Sequence, residues 1–96
     1  MTDQVKGGPQ SRRAAMLCQN PRFALYLDQR RRLRHGLALA DLPDGTHSEQ
    51  DAIDFIRESC CVASRAEIDH YATASVMLER IITDYQRWER QQRVAR

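Results

Sequence analysis

Between residue 72 and the C-terminal arginines, apolar side chains recur at the spacing of a single helix face. Ala74, Leu78, Ile81, Tyr85 and Trp88 stand four, three, four and three residues apart. At 100° per residue they fall within a narrow arc, and Glu79, Arg80, Asp84, Arg87, Arg90 and Arg93 fill the rest of the circumference. A stripe this regular must be covered, either by the rest of the chain or by a second helix of the same kind. No segment alternates with period two for long enough to form a strand. The 96 residues suffice for one domain with a modest core, and a hydrophobic fraction of 42% is enough to fold it. The expectation is an all-α chain, a compact single-domain bundle of four to five helices.

Punctuation along the sequence sets the other helices. Residues 1–10 are polar, contain Gly7-Gly8-Pro9, and read as a flexible N-terminal segment ahead of a helical domain over 11–96. Ser11 is expected to cap a short helix reaching about Gln19, with Ala14, Leu17 and Cys18 inward. Asn20-Pro21 restarts the helix, asparagine at the N-cap and proline in the first turn. The second helix carries Phe23, Tyr26, Leu27 and Leu33 inward, loads its last turn with cations and ends on Gly36. Pro43-Asp44-Gly45 marks a turn in the longest connection. Ser48 with Asp51, and Ser64 with Glu67, read as capping boxes opening a third helix and a short one that falters near His70. The third helix turns Ala52, Ile53, Ile56 and Cys60 to one side, with Phe55 nearby. The predicted core is Leu17, Phe23, Leu27, Ile53, Ile56, Leu78, Ile81, Tyr85 and Trp88.

Several function classes lose support at this level. No apolar run approaches the ~18 residues of a membrane span, and the N-terminus lacks the apolar stretch of a secretion signal, so a cytoplasmic location is expected. Cys18, Cys60 and Cys61 are odd in number, and two are adjacent, which strains any disulfide between them. No CxxC or Cys/His ladder offers zinc ligands, so neither a metal nor another cofactor is expected, and the cysteines read as buried free thiols. Catalysis is the weakest reading: His70, beside Asp69 and near Cys60 and Cys61, suggests a Cys–His pair, but no third orienting group accompanies it.

Charge is distributed unevenly behind a net +2. The first forty residues are basic, residues 41–79 hold nine carboxylates against Arg57 and Arg65, and the chain turns basic again from Arg80. Arg30, Arg31, Arg32 and Arg34, with Arg87 and Arg90 as a second edge, form the candidate contact surface for phosphate or for a partner protein. Arginine's planar fork suits both. The same arginines also read as a solvated helix end that favours the dipole. The competing surface is acidic: Glu49, Asp54 and Glu58 either meet a basic partner or lie against the chain's own arginines. Tyr85 and Trp88 near Arg87 and Arg90 read as a stacking platform for bases, as core, or as the seam of a homodimer.

Two stretches carry a resemblance. Leu17-Cys18-Gln19-Asn20-Pro21-Arg22-Phe23 and Cys60-Cys61-Val62-Ala63-Ser64-Arg65-Ala66-Glu67-Ile68-Asp69, followed by Tyr85-Gln86-Arg87-Trp88, resemble a pattern of small bacteriophage-encoded proteins. The likeness covers roughly residues 14–88. Cys61 departs from it by standing where the pattern has glycine, which weighs against a left-handed stop after the third helix. Genes of this kind often sit near phage recombination functions, among annealing proteins, exonucleases and inhibitors of host nucleases. The resemblance therefore implies a non-enzymatic accessory in the bacterial host cell, which modulates a recombination nuclease or a CRISPR–Cas effector through protein contacts. A DNA-binding accessory of phage recombination or replication is the alternative, and a small enzyme the distant third.

Overall fold

A computed structural model describes residues 7–94. They form α1 (Pro9–Gln19), α2 (Pro21–His35), α3 (Glu49–Cys60), a 3-10 helix η1 (Arg65–His70) and α4 (Ala72–Val94), with no strand among the described residues. The all-α expectation holds. Residues 1–6 of the expected N-terminal segment lie outside the described residues, whereas Pro9 and Gln10 already belong to α1.

One residue makes the corner between the first two helices. The Asn20 amide donates to Leu17 O and closes α1, while its Oδ1 accepts from Arg22 N at 3.0 Å and opens α2. The same side chain donates through Nδ2 to the Tyr85 hydroxyl at 2.9 Å, which ties the corner to α4. Pro21 follows in the first turn of α2, where its missing N–H costs nothing.

The start of α1 corrects the expectation that Ser11 caps it. Gly8 is the N-cap, and Ser11 sits inside the first turn, its hydroxyl donating to Gly8 O. The free amides of that turn are taken by Asp69, far along the chain at the end of η1. Gly8 N and Ser11 N donate to Oδ2 at 2.6 and 2.9 Å, and Gln10 N donates to Oδ1 at 2.9 Å. Glycine at position 8 eases this approach, since a Cβ there would stand a tight 3.1 Å from the carboxylate.

Both capping boxes form. Ser48 and Asp51 exchange side-chain bonds at the start of α3, and Glu67 accepts from the amides of Ala63 and Ser64 at 3.0 and 2.9 Å. α3 nevertheless ends on a left-handed residue: Cys61 has φ 57° and ψ 46°, with its amide and that of Val62 donating back to Glu58 O and Arg57 O. The left-handed stop is thus made by a cysteine. A Cβ in this region costs about 1–2 kcal/mol. The side chain of Cys61 is exposed, which corrects the expectation of three buried thiols; only Cys18 and Cys60 are buried.

The core gathers Leu17, Phe23, Leu27, Ile56, Leu78, Ile81 and Tyr85 as expected, together with Ala14, Cys18, Ala52, Cys60, Ile68, Ala74 and Ile82. Ile53 and Trp88, expected inside, are half-buried at its edge. Leu33 was expected inside as well and is 85% exposed. Its turn of α2 runs past the end of the core, so helical periodicity continues where there is nothing left to pack against.

Candidate functional site

The arginine-rich end of α2 does not form a single row of free cations. The Arg30 guanidinium lies 5.1 Å from the centre of the Phe55 ring of α3. Arg32 donates to Leu42 O at 2.7 Å and to Asp44 Oδ1 at 2.9 Å, and its side chain is only 14% exposed. It anchors the loop that leaves Gly36. Arg31 and Arg34 remain exposed. Leu33, Leu37 at 37% and Leu39 at 59% exposure belong to the same end of the chain, where a shallow groove of about 370 Å³ runs between Arg32, Leu33, Leu37 and Leu39.

Arg87 and Arg90 are exposed on α4. The link between that helix and α2 is made instead by Trp88, whose Nε1 donates to Gln29 Oε1 at 3.0 Å and whose ring lies 5.5 Å from the Arg22 guanidinium. No hydrogen bond or ion pair among the described residues joins Arg87 or Arg90 to the α2 arginines. Tyr85 and Trp88 belong to a cluster with Phe23 and Tyr26, ring centres 5.6–5.9 Å apart. Tyr85 meets Phe23 and Tyr26 edge-on and Trp88 meets its neighbours at a tilt, in line with the core reading and not with a platform for bases. Burial, reinforced by the adjacent Glu89 that accepts from its hydroxyl, pushes the Tyr85 phenol up to about 12.

The acidic surface is partly answered within the chain. Asp54 accepts from Gln50 Nε2 at 3.0 Å and lies 3.7 Å from Arg57, while Glu49 and Glu58 are exposed. The Ser48 amide, then its hydroxyl, hold Asp51 below the usual carboxylate range, and Arg31 adds a smaller pull across from α2. Arg30 on Phe55 therefore places basic α2 against α3.

Sequence reasoning missed a polar cluster in the interior. Asp28, one residue beyond Leu27, has no exposed surface. It accepts from Gly45 N at 2.8 Å, His47 N at 3.1 Å and His47 Nδ1 at 2.5 Å. The carboxylate thus gathers the end of the 37–47 loop onto α2, and the imidazole carries its proton on the nitrogen that faces it. Asp28, His47 and Cys18 line a cleft of about 320 Å³ beside the α1–α2 corner. Burial pushes the Cys18 thiol up, against a smaller opposing pull from the Arg65 guanidinium hydrogen-bonded to it. Burial, with Cys61 adding to it, raises Cys60 as well. Both sulfurs are held as thiols, the form that is neither nucleophile nor metal ligand. The available signal was the buried carboxylate itself: an aspartate on the inward side of α2 needs donors, and the Gly45–His47 turn offers them.

Among the described residues no group of three or more His, Cys, Asp or Glu comes together as a metal site, and no helix is long and apolar enough to cross a membrane. No protein-family model, curated protein or solved structure matches the chain.

Proposed function

We propose that the protein is a phage-type accessory that acts by contact, binding and modulating a nucleic-acid-processing or defence machine of the bacterial host, a recombination nuclease or a CRISPR–Cas effector. The observation that supports this reading is the end of α2 with the loop after it, which carry exposed leucines at 33, 37 and 39 and the exposed cations Arg31 and Arg34. An apolar patch with a charged rim is the composition of a protein interface. Nucleic-acid interfaces are more polar and more densely cationic than this. Arg30 and Arg32 hold the local structure, which leaves Arg31 and Arg34 as the contacting pair. Arg87 and Arg90 remain the second edge.

The test pairs capture from host lysate with direct DNA binding. The protein is expected to retain a nuclease or effector subunit, and the double reversal Arg31→Glu with Arg34→Glu is expected to lose it while keeping its helical spectrum. Sub-micromolar DNA affinity with a steep salt slope would instead make it a DNA-binding recombination accessory. Loss of the partner on Asp54→Lys with Glu58→Lys, but not on the arginine reversal, would move the contact to the acidic surface.

A further inference from the structure

A groove of about 490 Å³ opens between α1, α3 and η1, away from the end of α2. Each of its three walls contributes one arginine: Arg12 from α1, Arg57 from α3 and Arg65 from η1. Ala15, Ile53 and Ala66 supply apolar lining, and Ser11, Gln50 and Ser64 line it as well. No carboxylate lines it.

The three cations are not neutralised by their own surroundings. Arg12 is exposed on α1, with no ion pair to any carboxylate among the described residues. Arg57 has only the long 3.7 Å approach to Asp54, between two side chains that are each more than two-fifths exposed. Arg65 is half-buried, and its Nη1 is fully buried without a hydrogen-bond partner. Its charge meets no carboxylate among the ion pairs of the described residues.

We infer that this groove is an oxyanion site for a phosphoryl group, either free phosphate or the phosphate of a small ester, held by Arg12, Arg57 and Arg65. The charge decides between anions. Three guanidiniums with one loosely held carboxylate at their margin leave a surplus that a divalent phosphate neutralises and a single carboxylate does not. The planar forks of arginine match phosphate oxygens two at a time. The volume falls within the range of small-molecule sites, and Ala15, Ile53 and Ala66 offer apolar surface to the organic part of an ester.

Titration calorimetry with inorganic phosphate, AMP and acetate tests the assignment. Phosphate and AMP are expected to bind saturably, and acetate is not. Equal affinities for phosphate and AMP identify free phosphate as the ligand; a preference of about tenfold or more for AMP identifies an ester. Arg12→Ala and Arg57→Ala should each weaken binding about tenfold or more, the loss expected for a charge-assisted contact. Arg12 is the decisive position because it is exposed and its replacement leaves the packing alone, whereas Arg65 borders the buried Cys18 thiol. The assignment is overturned by the absence of saturable phosphate or AMP binding up to about 10 mM, by affinities unchanged in both variants, or by acetate binding as tightly as phosphate. A single-stranded oligonucleotide that binds far more tightly than AMP through the same arginines would also overturn it.

Discussion

Asp28→Ala strikes the most heavily engaged buried group in the protein. The carboxylate has no exposed surface and receives three donors, two of them backbone amides of the same loop. Its removal leaves the Gly45 and His47 amides and the imidazole N–H facing a small void. Leaving three donors without their acceptor costs about 1–3 kcal/mol for each, roughly 3–9 kcal/mol in all. Opening of the 37–47 loop, which lets water reach those donors, holds the loss to the lower end of that range, about 3 kcal/mol. For a domain of this size that is a fall in Tm of about 12–24 °C. Asp28→Asn keeps the shape and one acceptor oxygen and should lose about 1–2 kcal/mol. Thermal and urea unfolding followed by far-UV circular dichroism measure the global loss. Amide hydrogen exchange at Gly45 and His47 measures the local one, where protection should fall well before the helices open. If Asp28→Ala costs less than about 1 kcal/mol and the two amides exchange as before, the carboxylate does not hold the loop and the reasoning fails.

Two further outcomes follow from caps and backbone geometry. Desolvation tends to raise the Asp69 carboxyl, and the amides of Ser11, Gln10 and Gly8 more than reverse it, bringing it from 3.8 to about 2. A carboxyl depressed in the folded state stabilises fully above its unfolded value and loses that contribution as pH falls from about 4 towards 2. Asp69→Asn should therefore flatten the stability–pH curve in this window, as read from urea midpoints at successive pH values; an unchanged slope contradicts the capping role. Cys61→Gly removes a Cβ from a left-handed residue whose side chain is exposed, so a gain of about 1 kcal/mol in urea unfolding is expected, and a loss would mean that the thiol itself contributes.

The parts of the fold that were legible in the sequence are those decided within a few residues. Asn20-Pro21, Ser48-Asp51 and Ser64-Glu67 set helix ends through neighbours on the chain, and the stripe from Ala74 to Tyr85 is buried as its spacing implies. Features decided across the molecule were not legible. The cap of α1 comes from Asp69, so the local candidate Ser11 was taken for it. Leu33 keeps the rhythm of α2 but lies beyond the core, because periodicity describes a helix and not the length of what covers it. Within the arginine cluster the sequence could not separate Arg31 and Arg34, which are exposed, from Arg32, which is spent on Leu42 and Asp44. Arg65 was legible only as part of a capping motif. Its place beside Arg12 and Arg57 in one groove follows from how α1, α3 and η1 pack, and from no local pattern.

The bonds from Asp69 to α1 span 58 to 61 residues of chain. α1 has 11 residues, short for a helix that must stand alone in water, and the amides of its first turn have no acceptor until η1 exists. During synthesis this segment leaves the ribosome long before its cap does, and closing so long a loop is a slow, non-local step. The earliest helix in chain order is thus among the last to be completed, and a nascent chain halted before η1 would present the apolar side of α1, with Leu17 and Cys18, to whatever chaperone meets it.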